Sequence, residues 1–108
     1  MKLAMTNVPP KEGARLARAL VEERLAACVS RLPVQSVYRW RGELCEDDEH
    51  TLLIKVAAER VDALRARLVA LHPYELPEFV VLDVDRAGSL AAYVDWVRAE
   101  SSGEVAGE

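Results

Sequence analysis

Only two cysteines and two histidines occur in this chain of 108 residues, and neither pair has Cys-x-x-Cys or His-x-His spacing. A chelating site built from one short segment is thereby excluded, so any strong metal site must be assembled across the fold or between subunits. Apolar runs are short, and none approaches the ~18–20 residues of a membrane span. Met1 to Val8 carries one lysine and too short an apolar stretch for a signal peptide. Basic residues are scattered apart from Arg39 and Arg41, and the net charge of −4 works against nucleic acid or an anionic membrane as partner. Five glycines leave few places for backbone to wrap a phosphate. There is no nucleophile elbow, no phosphate-binding glycine loop and no metalloprotease helix. Catalysis finds no support, and the expectation is a non-enzyme without an organic cofactor. With neither a signal-peptide pattern nor a membrane span, the expected compartment is by default a reducing cytoplasm, where both thiols stay free.

What remains is half hydrophobic and ordinarily charged, enough for one globular domain with a modest core. Met1 to Val8 reads as a strand closed by Pro9-Pro10. Lys11 to Ala27 then takes helical period, with Ala14, Ala17, Leu20, Val21 and Leu25 as its apolar stripe. Cys28 to Leu32 is a short strand halted by Pro33 and resumed from Val34 to Trp40, which predicts a bend or bulge. Gly42 marks a tight turn, and Leu44 to Ala57 returns as the hairpin partner. Leu52, Ile54 and Val56 share one face of that strand, and Leu53 and Lys55 the other. The outer half of the hairpin carries Glu43, Glu46, Asp47, Asp48, Glu49 and His50, a composition suited to a solvated, charge-guarded arm or to ion pairing with Arg39 and Arg41 of this or a neighbouring subunit. A second helix runs from about Glu59 to Leu71, followed by a dense apolar strand from Glu78 to Val84. Ser89 is positioned to cap a last helix containing Tyr93 and Trp96. Residues 1–100 form the domain, and 101–108 have the composition of a tail.

Strand, helix, strand, strand, helix, strand, helix is the α+β, ferredoxin-like βαββαβ order with an added C-terminal helix. Crossovers that join parallel neighbours put the helices on one sheet face. Tyr38, Trp40, Leu53 and the Phe79 strand are too apolar for the other face to meet water, so self-association is expected.

Three constellations carry candidate chemistry. His72 stands between the second helix and Pro73, in the octapeptide Leu71-His72-Pro73-Tyr74-Glu75-Leu76-Pro77-Glu78. Its ring either caps the helix's last carbonyls or serves as a metal ligand or acid–base group. Cys28 is either a small buried hydrophobe or a soft ligand for copper(I). With Glu78 as an oxygen donor, Cys28 and His72 form the candidate metal set. Lys55, His72, Tyr74 and Glu78, together with Trp40, form the candidate ligand cleft.

The chain resembles the CutA divalent-cation tolerance proteins. Val8-Pro9, Leu20-Val21-Glu22-Glu23-Arg24-Leu25-Ala26-Ala27-Cys28-Val29, Ser36-Val37-Tyr38-Arg39-Trp40-Arg41-Gly42, Leu52 to Lys55, the His72 octapeptide and Tyr93-Val94-Asp95-Trp96 match in order and spacing. Asn7, Ser30 and Val56 depart from the pattern, standing where threonine, asparagine and threonine are common. The resemblance implies a ferredoxin-like homotrimer involved in divalent metal tolerance, with copper or another divalent cation weakly bound. Cys28, lying within a matching motif, is expected to matter more for copper than Cys45. The alternative is a sensor resembling the PII signalling proteins, which would bind a small anionic metabolite between subunits through Lys55 and His72.

Overall fold

A computed structural model describes residues 1–103 of the protein. Strand β1 (Lys2–Val8) leads into helix α1 (Pro10–Glu22) and the long hairpin of β2 (Cys28–Trp40) and β3 (Glu43–Val56). A 3-10 turn (Ala58–Arg60) opens α2 (Val61–Leu71), and β4 (Val80–Asp83) and α3 (Ala91–Glu100) complete the order. The four strands lie in the order β2-β3-β1-β4, every neighbouring pair antiparallel. This is the expected α+β arrangement, with one correction. The strands joined by each helical crossover are not neighbours, because the hairpin strand β3 inserts beside β1 and separates it from β2.

Alternation sets which side chains enter the core. Ala4, Thr6 and Val8 of β1 and Leu52, Ile54 and Val56 of β3 point to the helical side and are buried. Leu16 and Leu20 of α1 and Leu64 and Leu68 of α2 close over them. The buried face of α1 is Gly13, Leu16 and Leu20, so Ala14 and Val21 of the expected stripe are exposed. Gly13 permits a close approach here, since a Cβ would lie 3.1 Å from His50 Nδ1 and the ring would have to shift by a few tenths of an ångström.

Helix α1 stops five residues earlier than its periodicity suggested. Arg24 takes a left-handed backbone (φ 59°), and Leu25 N–H bonds the Leu20 carbonyl at 3.0 Å while Arg24 N–H bonds that of Val21. This is a Schellman ending made without glycine. The Arg24 guanidinium reaches the C-terminus of α3, donating to the Ala99 carbonyl at 3.0 Å and facing Glu100. A cation at the negative end of α3 is favourable.

Arg41 (φ 50°) and Gly42 (φ 81°) form a two-residue turn with both centres left-handed, and Trp40 pairs with Glu43 on either side of it. That geometry matches the twist of the strands it joins. Pro33 causes no break: the register runs without interruption from Cys28↔Lys55 through Pro33↔His50 to Trp40↔Glu43. Strand β2 is an edge strand, where a missing donor is tolerated.

Three expectations near the C-terminus change. The last strand is confined to Val80–Asp83, and Phe79 packs against the core instead of joining it. Ser89 donates to the Asp85 carbonyl, and Leu90 holds the N-cap position of α3. Ser101, the first residue of the expected tail, is fully buried. Its hydroxyl accepts the Ala57 N–H at 2.8 Å and donates to the Val97 carbonyl, tying α3 to the end of β3. Residues 104–108 lie outside the described range. Ser101→Ala is expected to cost about 1–3 kcal/mol in chemical denaturation, because it strands a buried backbone donor. A loss below about 0.5 kcal/mol would mean water replaces the hydroxyl.

The sheet's second face is uncovered. Opposed pairs put Leu3, Met5, Leu32, Leu53, Val80 and Leu82 on it, with Cys28, Ser30 and Lys55 at one end. Leu32, Val80 and Leu82 are 43%, 47% and 44% exposed.

Candidate functional site

The outward face of the hairpin's distal half and the loop after α2 enclose a cleft of about 580 Å³. One wall is Ser36, Tyr38, Trp40 and Glu49; the other is Tyr74, Glu75, Leu76 and Glu78; Asn7 of β1 forms part of the lining. The two walls are tied by hydrogen bonding. Tyr74 donates its hydroxyl to Glu49 Oε2 at 2.6 Å, and Arg41 at the hairpin tip pairs with Glu75 at 2.6 Å. Tyr38 donates to Asp47 across the strands. These carboxylates disfavour phenolate: the hydrogen bond to Asp47 holds Tyr38 up at about 12, and burial together with Glu49 raises Tyr74 above its usual value. Burial, reinforced by the Glu49 charge, also raises the Glu78 carboxyl above its usual range.

Of the expected cleft residues, Trp40, Tyr74 and Glu78 line it, whereas Lys55 and His72 are not among its walls. Lys55 points across the open sheet face, donating to Ser30 Oγ at 2.6 Å and standing 3.8 Å from Cys28 Sγ.

His72 is only 8% exposed and stitches the end of α2 to β1. Its Nε2 lies 3.0 Å from the Asn7 carbonyl and 3.1 Å from Thr6 Oγ1, and Nδ1 accepts the Tyr74 N–H at 3.2 Å. A carbonyl can only accept, so Nε2 carries the proton and Nδ1 offers its lone pair to the backbone. Burial pushes the imidazole pKa below its usual value, against smaller opposing pulls from Asn7 and Glu49. The ring does not cap α2, whose end is met by His72's own backbone N–H on the Leu68 carbonyl.

The metal set does not converge within one chain. Among the described residues no three of His, Cys, Asp and Glu come together as ligands. Both cysteines are free and half-buried, Cys28 beside the Lys55 ammonium and Cys45 opposite Tyr38.

The acidic run is a solvated arm at Glu46, Asp47 and Asp48, which are exposed, but not at Glu49. Alternation does split it, but Glu49 is only 6% exposed and serves as an inner wall of the cleft. Its partner is Tyr74; Arg41 pairs with Glu75, and Arg39 donates to the Gly42 carbonyl at 3.4 Å. Glu49, Tyr38, Ser36 and Asn7 were missed as site residues. The available signal was strand parity, which places Ser36, Tyr38 and Trp40 on the same face as Glu49.

Comparison with known proteins adds a family. Residues 2–100 match the CutA1 divalent ion tolerance protein family. The divalent-cation tolerance protein CutA of Thermus thermophilus is 46% identical over 99 residues, 90% of this chain and 94% of that protein. Human protein CutA is 40% identical over 97 residues, 88% of this chain, and the chain spans about half (53%) of that protein's length. The solved structure of the PII-like protein CutA from Nostoc sp. PCC 7120 in apo form superposes with a TM-score of 0.94 at 50% identity, covering 96% of this chain and 100% of that one.

Proposed function

The chain belongs to the CutA1 divalent ion tolerance family, and from that premise we propose a non-enzymatic, homotrimeric cytoplasmic protein that takes part in divalent-cation tolerance, copper foremost. The observation that carries the reading is the uncovered apolar sheet face. Leu3, Met5, Leu32, Leu53, Val80 and Leu82 form a contiguous patch that a soluble protein covers with protein. Copies of this chain are the simplest cover. Because one chain gathers no chelating set among its described residues, copper binding is weak and is completed between subunits. Cys28, standing on the assembling face, supplies the soft donor, with the neighbouring Lys55 ammonium opposing a tightly held cation.

The PII-like reading has support from the Nostoc structure's fold. An anionic metabolite fits the cleft poorly, since Lys55 and His72 lie outside its walls and Glu49 and Glu78 lie within them. The test is calorimetric titration of the assembled protein with copper. Micromolar or weaker binding that falls at least about fivefold in Cys28→Ser and stays unchanged in Cys45→Ser is expected. Equal loss in both variants, or loss only in Cys45→Ser, would reject Cys28 as the donor.

A further inference from the structure

The cleft described above holds more structure than a metal-tolerance role uses. Its volume of about 580 Å³ lies in the range that encloses a small organic molecule. Its walls bring together three aromatic rings, Tyr38, Trp40 and Tyr74, and two carboxylates without a cationic partner among the described residues, Glu49 and Glu78. The third carboxylate, Glu75, is neutralised by Arg41. Among the described residues no lysine, arginine or histidine lines the cavity.

A precedent for the ligand is built into the cleft's mouth. The Arg41 guanidinium lies 5.3 Å from the centre of the Trp40 ring and 2.6 Å from Glu75 Oε2. One aromatic face and one carboxylate thus already hold an organic cation there. The rest of the lining repeats the pattern without the cation: Tyr38 and Glu49 on the hairpin wall face Tyr74 and Glu78 on the loop wall.

We propose that this cleft is a binding site for a small organic ammonium ion carrying an apolar or aromatic body, with Glu49 and Glu78 as counter-charges and Tyr38 and Trp40 as ring platforms. A bare divalent metal is the poorer match. It needs several oxygen or nitrogen donors converging within about 2–2.6 Å, whereas the described residues contain no such group. An organic ammonium needs only hydrogen bonds to one or two carboxylates and the face of a ring. An anion would meet two carboxylates and no positive side chain in the lining. The inference does not rest on copper binding or on Cys28, which lies at the other end of the hairpin on β2.

The experiment uses the full chain in its native assembly and 2-phenylethylammonium as probe, followed by calorimetry and by the Trp40 indole NMR signal. Saturable binding that shifts the Trp40 resonance is expected, with 3-phenylpropionate, of similar size but opposite charge, giving none. Glu78→Gln and Glu49→Gln should each weaken the probe about tenfold, the effect of losing one charge-assisted hydrogen bond. Glu46→Gln removes an equal charge from the other face of the arm and should leave affinity within about twofold. Should Glu49→Gln not fold, Glu78→Gln decides alone. Phenylpropionate binding as well as the amine, or Glu78→Gln binding as well as wild type, would overturn the proposal. So would a loss in Glu46→Gln equal to that in Glu78→Gln, which would show non-specific attraction to an acidic protein.

Discussion

His72→Ala is expected to lower the melting temperature by roughly 10 °C or more, measured at fixed protomer concentration. The ring satisfies three groups at once. Thr6 Oγ1 is fully buried, the Asn7 carbonyl lies beside it, and the Tyr74 N–H begins the loop that forms a wall of the cleft. Truncation strands these groups and leaves a void, a combined cost on the order of 3 kcal/mol. The effect should depend on pH. The imidazole titrates below its ordinary 6.5 in the folded chain because burial disfavours its charged form. Protonating Nδ1 would also set two donors against each other at the Tyr74 N–H. The neutral ring's contribution is therefore complete above about pH 6.5 and lost as pH falls through the lowered value. The stability gap between wild type and His72→Ala should shrink on acidification from about pH 7 to 5. Copper affinity of the folded assembly should not change, since both ring nitrogens are engaged within the chain. A variant melting within about 2 °C of wild type, or one that loses copper while keeping its stability, would return His72 to the role of ligand.

His72 also shows where sequence reading stops. Pro73 correctly located the end of α2, because proline excludes the residue before it from helical backbone. Which way the ring then turns depends on β1, more than sixty residues earlier, and local rules do not reach that far. The hairpin turn was legible because Gly42 is a local signal for left-handed backbone. The end of α1 was not, because Arg24 adopts the same conformation without being glycine. Its guanidinium contacts at the end of α3 lie 75 residues or more away in sequence. Pro33 misled for a related reason: its cost depends on whether the strand is central or at an edge, a property of the whole sheet.

The candidate site divides in the same way. Trp40, Tyr74 and Glu78 were legible as cleft residues because two lie in one rigid loop and the third beside the turn. Lys55 was expected to converge there with His72, Tyr74 and Glu78. It shares a strand face with Glu49, but six residues of extended strand carry it about 20 Å along the sheet. Glu49 was read as solvent-facing because its neighbours Glu46, Asp47 and Asp48 are charged. Composition averages over a segment, whereas burial is decided one side chain at a time, here by Tyr74 reaching over from the loop.

Leu53→Glu is expected to have the largest effect on assembly. Leu53 lies on β3, opposite Met5 on β1 and Ser30 on β2, in the middle of the open sheet face. In an isolated chain a glutamate there would extend into water from a half-buried position and cost the fold little. In a homotrimer meeting through this face, each subunit would bring a charge into an apolar interface on the order of a few thousand Å² in area. Three like charges buried without partners cost several kcal/mol each, enough to abolish association at micromolar protein. Sedimentation equilibrium should show wild type as a trimer and Leu53→Glu as a smaller or unfolded species, since folding and assembly are linked by mass action. Val69→Glu supplies the control: Val69 is half-exposed on α2, away from the open sheet face, and its variant should remain trimeric. A wild-type chain that sediments as a folded monomer would remove the basis for the trimer. A Leu53→Glu protein that stays trimeric and equally stable would place the subunit contact on another surface, leaving this apolar face to some other partner.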